Sequence, residues 1–144
     1  MHYRQLPASL KPLADKFYRN QRSAMRAAAG AQLWVAEDRD ILAALCLHPV
    51  EHGHWLTSLL VDSTRQGQGI ARQLIETALL DCPAPVWLFC HPQLSDFYLR
   101  LGFAPCTDLP QPLAERLRRY QRSKSLLAFV RVSSSSLTAQ GLEP

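Results

Sequence analysis

LLVDSTRQGQGIARQL, residues 59–74, joins two different periodicities across a pair of glycines. Leu59, Leu60 and Val61 close HWLTSLLV (His54 to Val61), a run whose apolar and β-branched content reads as a strand. From Gly69 onward Ile70, Leu74 and Ala78, with Ala71, Ile75 and Leu79 beside them, fall on one helical face that ends before Cys82-Pro83. The chain is therefore expected to pass from strand to helix through a glycine-rich corner. Gly67 and Gly69 let the backbone turn sharply and let a ligand approach successive N–H groups. Those amides belong to the first turn of a helix, where unpaired donors and the positive dipole end favour an anion. A diphosphate is the natural occupant: Ala71 is too small to obstruct it, and Arg65 and Arg72 add positive charge.

Other glycine-loop chemistries do not fit. A nucleoside-triphosphate loop needs Gly-Lys followed by Ser or Thr, and here Gly69 is followed by Ile70 and Ala71. A dinucleotide fingerprint needs a third glycine where Arg72 stands and an acidic residue at a strand end about 20 positions on.

Working outward, a first amphipathic helix is expected from a Ser9 cap to about Ala28, with Leu10, Leu13, Ala14, Phe17 and Ala24 at helical spacing and Pro12 in the tolerant first turn. QLWVAE and DILAALCLHPV read as a hairpin turning at Asp38 to Asp40, and a second turn at Glu51 to Gly53 leads into the strand that ends at Val61. Downstream, PVWLFC reads as a strand buried on both faces, LSDFYLRL as a short helix stopped by Gly102, Pro112 to Gln121 as a helix and SLLAFVRV as a last strand. Leu59 to Cys90 is then a strand, helix, strand crossover whose strands lie parallel.

The 144 residues suit one domain, expected over 1–132, with a flexible tail over 133–144 (SSSSLTAQGLEP). No stretch approaches the apolar length of a membrane span and the N-terminus lacks a cleavable leader pattern, so a cytoplasmic protein is expected. Cys46, Cys82, Cys90 and Cys106 form no C-x-x-C pair and read as reduced thiols; no metal is expected, the only hint being the His48, His52 and His54 spacing. The net charge of +4 suits a polyanionic ligand without naming it, and Arg116, Arg118, Arg119, Arg122 and Lys124 read as a solvated helix face rather than a nucleic-acid patch.

Two motifs carry a family resemblance. Gln66-Gly67-Gln68-Gly69-Ile70-Ala71 resembles the Gln/Arg-x-x-Gly-x-Gly/Ala signature of the GNAT superfamily of acetyl-CoA-dependent N-acetyltransferases, and Phe97-Tyr98-Leu99-Arg100-Leu101-Gly102-Phe103 resembles its Phe-Tyr-x-x-x-Gly-Phe signature. With the element order, the likeness covers roughly residues 3 to 132.

The resemblance implies a single α/β (α+β) domain with a mixed sheet of about six to seven strands, helices on both faces and splayed parallel strands at the cofactor. It implies that Leu59, Leu60 and Val61 pair with the pantetheine arm, that Gln66, Gly67, Gln68, Gly69, Ile70, Ala71 and Arg72 hold the pyrophosphate, and that a Val61 N–H polarises the thioester carbonyl. Tyr98 takes the place of the acid that protonates the departing thiolate. Where relatives often carry Asn and Ala, this chain has His91, a candidate for the pantetheine amide, and Leu94, which narrows the acyl channel.

The base for the acceptor amine is left open among His54, His52, Glu51 and water. Acetyl-CoA and an amine-bearing acceptor are the implied partners, and homodimers are common in the superfamily. Acceptor pockets there are built from the first helix, the meander turns and the last two strands. The alternative reading is a non-catalytic acetyl-CoA sensor acting on a partner protein.

Overall fold

In the computed structural model, which describes residues 1–132, the strands are β1 (His2–Leu6), β2 (Gln32–Asp38), β3 (Asp40–Val50), β4 (Gly53–Val61), β5 (Val86–Cys90), β6 (Ala104–Pro105) and β7 (Leu127–Arg131). The helices are α1 (Lys11–Asn20), α2 (Ile70–Leu79), α3 (Ser95–Arg100) and α4 (Gln111–Gln121), with 3₁₀ turns at Ala8–Leu10 and Pro92–Leu94 leading into α1 and α3. The tail expected over 133–144 lies outside the described residues. The strands make one seven-stranded mixed sheet in the order β1-β2-β3-β4-β5-β7-β6, the mixed α/β class expected, and β4 and β5 run parallel as the crossover requires. Their ladder comprises two residue pairs, His54↔Val86 and Trp55↔Trp87. Among the described residues no helix is long and apolar enough to cross a membrane.

The residues group into two compact units. The first holds Met1–His48 and Leu56–Asp81. Leu33↔Cys46 and Val35↔Ala44 are cross-strand pairs of β2 and β3, so these four side chains share a face. That face packs with Leu6 and with Ala14, Phe17 and Tyr18 of α1. The opposite face carries Ala36, Ala43, Leu45 and Leu47, all buried, and α2 contacts β1 and β2 with Ile70, Leu74, Ile75, Ala78 and Leu79 buried. Alternation along the strands thus gives this unit a helix on each side, the burial of each large apolar side chain contributing about 1.5–3 kcal/mol.

Four expectations change here. Helix α1 stops at Asn20, not Ala28, and its N-cap is Leu10 without a side-chain bond, so Ser9 does not cap it. The stop is a Schellman closure: Arg22 takes a left-handed φ of 56°, Arg22 N–H donates to Arg19 O and Ser23 N–H to Tyr18 O. Leu13 is exposed and Tyr18, one turn on from Ala14 on the same face, is buried in its stead. Strand β1, not anticipated, pairs antiparallel with β2 over five residues.

The second unit comprises Pro49–Trp55 and the chain from Cys82. Here β5 pairs antiparallel with β7 along its whole length, and the two-residue β6, also not anticipated, pairs with the other side of β7. Trp87↔Val130 and Leu88↔Phe129 are adjacent pairs, so their side chains point to opposite faces. One face gathers Trp55, Trp87, Phe89 and Val130 under Leu113 and Tyr120 of α4. The other carries Leu88 and Phe129, with Tyr98 of α3 packed on Phe129 and Phe103. None of the four cysteines is in a disulfide among the described residues; Cys46 and Cys90 are buried, and burial pushes both thiols up from their ordinary range.

Candidate active site

Strand β4 enters the corner through a deformation. Ser58 has a left-handed φ of 57° inside the strand, a conformation costing roughly 1–3 kcal/mol for a residue with a side chain. Its carbonyl accepts a 2.7 Å hydrogen bond from the hydroxyl of Tyr18, which sits against the Cys46 side of the core. Replacing Tyr18 with Phe should keep the ring packing on Phe17 and remove that donor, lowering stability by about 1–3 kcal/mol in thermal or urea unfolding at neutral pH. The same residue sets an alkaline limit. Burial, with Cys46 adding, raises its phenol well above the ordinary value of about 10. The unfolded chain then releases this proton before the folded one does. Its contribution is whole below pH ~10 and drains away as pH climbs toward the folded-state value, so wild type should lose more stability above pH ~10 than the Phe variant.

Past Ser58 the strand continues to Val61. Asp62 N–H donates to Leu42 O of β3 at 2.7 Å, and because successive N–H groups of a strand point to opposite sides, the N–H of Val61 points away from β3. Leu59, Leu60 and Val61 are half-buried, with Leu60 packed on the α1 side of the core.

The corner itself is tied from below. Asp62 Oδ1 accepts from Thr64 N–H (2.8 Å) and Thr64 Oγ1 (2.7 Å), and the Thr64 hydroxyl bond, then its amide, then Gln21 and Arg65, hold the carboxyl below the usual carboxylate range. Arg65 N–H donates to Asp62 O at 2.9 Å, and Ser63 N–H to Gln21 Oε1 at 3.0 Å, anchoring the turn to the end of α1. The Arg65 guanidinium is committed to Asp38 (3.4 Å) and Gln68 (3.5 Å), whereas Arg72 is exposed and makes no ion pair among the described residues.

Gly67 and Gly69 both have left-handed φ, 79° and 77°, and a Cβ built on either would meet nothing within 4 Å. Backbone conformation therefore demands glycine, and the space above it is open. Gly69 caps α2 without any side-chain bond, there is no acidic residue in the first turn, and the first backbone bond is Gln73 N–H to Gly69 O at 3.1 Å. The amides of Gln66, Gly67, Gln68, Gly69, Ile70, Ala71 and Arg72 donate to nothing among the described residues. Gln66 through Gly69 are exposed, while Ile70 is buried and fixes the helix start. A ring of unused donors at an uncapped positive helix end has the chemistry to hold a dianion.

In the second unit Tyr98 is buried, 6% exposed, among Phe97, Phe103 and Phe129 at 5.0, 5.7 and 6.4 Å between centroids. Leu94, a residue it could have packed on, is 46% exposed. Burial, with the Cys90 thiol adding, raises the Tyr98 phenol above its ordinary value. His91 caps the turn before α3, its Nδ1 accepting from Gln93 N–H at 3.2 Å, which leaves Nε2 to donate. Of the base candidates, Glu51 and His52 form an exposed pair at 3.4 Å, with His52 in a left-handed turn. His54 is half-buried at the start of β4, its Nδ1 3.9 Å from Cys82 Sγ.

Sequence reading missed Tyr18 and Gln21. The Ala14–Tyr18 spacing on one helix face was the available signal for the first; nothing local marks the second. It also placed Arg116 on the solvated face of α4, where Arg118, Arg119 and Arg122 do lie exposed, but Arg116 turns inward over Trp55.

Among solved structures, the chain is similar to an acetyltransferase of the GNAT family from Staphylococcus aureus, at 15% identity over 90% of this chain and 97% of that one, with a TM-score of 0.65. It is similar to a variant of spermidine N-acetyltransferase SpeG from Vibrio cholerae, at 16% identity over 97% and 99%, TM-score 0.66. It is also similar to Rv2747 from Mycobacterium tuberculosis, solved in complex with CoA, at 16% identity over 92% and 99%, TM-score 0.64. At such identities the likeness is one of fold. No curated protein matches the sequence. The family model described as acetyltransferase (GNAT) domain matches residues 29–105, just over half of the 144 residues and including both the glycine corner and Tyr98. With that match, this chain belongs to the GNAT acetyltransferase family.

Proposed function

We propose that residues 1–132 form an N-acetyltransferase that moves the acetyl group of acetyl-CoA onto a primary amine by direct attack in a ternary complex. The observation that carries this reading is the set of undonated amides at the open corner from Gln66 to Arg72, beside glycines that only a backbone turn of this hand requires. The CoA-bound relative of the same fold supports the choice of anion.

In this reading the corner amides and Arg72 grip the pyrophosphate, and Leu59 to Val61 meet the pantetheine arm along the side of β4 away from β3. The Val61 N–H, pointing to that side, takes the charge that gathers on the thioester oxygen as the amine attacks. The C–N bond forms, the C–S bond breaks, and Tyr98 hands its proton to the departing sulfur. Burial keeps the phenol protonated at neutral pH and also makes it a weaker acid, so the transfer relies on the departing thiolate being desolvated and therefore more basic too. The amine's proton leaves to solvent; His54 is the one base candidate held in a strand rather than in the exposed turn.

Incubation with acetyl-CoA and a panel of amines, read as release of free thiol, tests the activity. Amine-dependent release is the expected result. CoA binding without release for any amine would replace the enzyme with the sensor.

A further inference from the structure

Helix α4 stands in the connection between the two last strands and presents an unusual combination to the sheet face opposite Tyr98. The guanidinium carbon of Arg116 lies 5.0 Å from the ring centroid of Trp55, and Nη1 donates to Tyr120 Oη at 3.3 Å. Trp55 packs on Phe89 at 5.5 Å and 54°, and Phe89 meets Tyr120 edge-on at 6.3 Å. Residues from β4, β5 and α4 thus form one aromatic cluster, with the cation lying over its Trp55 ring and bonded to its Tyr120 hydroxyl. Arg116 is half-buried, and no carboxylate pairs with it among the described residues.

A guanidinium held over an aromatic face still has N–H donors to offer, and its fork suits a carboxylate gripped by two parallel bonds. Tyr120 uses one of the five N–H groups. A half-buried guanidinium with one side-chain hydrogen bond keeps donors free to meet an incoming anion. The position also fits the direction of the reaction, since the acid Tyr98 packs on the Leu88 and Phe129 side of the sheet while Trp55 and Phe89 line the other.

We infer that Arg116, stacked on Trp55 beside Phe89 and Tyr120, is the anion-recognition residue of the acceptor site, and that the acceptor is a small primary amine carrying a carboxylate, of the amino-acid class. This rests on the acetyl-transfer reading. The exposed Arg118, Arg119 and Arg122 on the same helix add a field that draws such an anion in.

The test uses binding, so that it does not depend on turnover. N-acetyl amino acids, the products of such a reaction, and the matching N-acetyl amino-acid amides are titrated calorimetrically into the full chain, alone and with CoA. The acids should bind about 10–100-fold more tightly than the amides, the worth of a charge-assisted pair. Arg116→Met keeps the alkyl packing on Trp55 and removes the charge; it should erase the acid preference while leaving CoA affinity unchanged. Arg116→Lys should restore only part of it, because an ammonium cannot bond in fork geometry. Equal binding of acids and amides, no binding of either, or equal loss of both in Arg116→Met would overturn the assignment. An Arg116-dependent acid preference in a chain that does not bind CoA would instead sink the acetyl-transfer reading and leave the anion site standing.

Discussion

Gly69→Val should abolish measurable CoA binding in a chain that still folds. The residue sits at φ 77° with no atom within 4 Å of a built Cβ, so the substitution crowds nothing; its cost is the left-handed backbone, roughly 1–3 kcal/mol and worst for a β-branched side chain. If the strain is relieved by rotating the peptide, the Gly69 and Ile70 amides turn out of the ring of donors. Each charge-assisted bond to a phosphate is worth about 1.5–3 kcal/mol, so losing two weakens binding by about 100-fold or more. Gly69→Asn separates strain from occupancy. Asparagine tolerates the left-handed region, so this variant should melt within a few degrees of wild type, yet its side chain enters the open space that the diphosphate needs. Unchanged CoA affinity in both variants, by calorimetry, would remove the corner from the binding site.

The second large effect is on turnover. Tyr98→Phe should lower kcat by about 10²-fold, at the lower end of what general-acid groups contribute, with CoA affinity and melting temperature nearly unchanged. The ring contacts with Phe97, Phe103 and Phe129 survive the change because they involve no hydroxyl. Burial raises the phenol above its ordinary value, so the acid stays loaded past pH ~10 and this group contributes no alkaline fall in kcat below that point. A wild-type rate in the Phe variant would take the acid role from Tyr98.

The corner and the elements on either side of it were legible because their signals are local. A continuous apolar strand, two glycines and a helix face with Ile70, Leu74 and Ala78 fall within 25 residues, and each contains its own physical reason. PVWLFC was legible for the same reason, as a run too short and too apolar to be anything but a covered strand. The end of α1 was not. Residues 24 to 29 are rich in alanine and read as helix, but Arg22 takes the left-handed closing position that glycine ordinarily marks, and the alanine stretch is then held by tertiary bonds, Ala27 N–H to Asp15 Oδ1 at 3.3 Å and Cys46 Sγ to Arg26 O at 3.9 Å. β1 escaped notice because only Leu6 of its five residues is buried, and β6 because it is two residues long and contains a proline.

The candidate site divides along the same line. Gln66 to Arg72 and Tyr98 announce themselves by spacing, whereas Tyr18, Gln21 and the Arg116–Trp55 stack depend on contacts between residues 40, 42 and 61 positions apart. His91 lay between these cases, named from a motif position but engaged in a local cap that no motif described.

The most direct measurement is backbone amide NMR of the protein titrated with CoA. Saturable shifts that are largest at Gly67, Gln68, Gly69, Ile70, Ala71 and Arg72 are expected, because those N–H groups exchange water for phosphate oxygen. Saturation with those signals unmoved, or no saturation at millimolar CoA, would contradict a pyrophosphate seat at the β4–α2 corner.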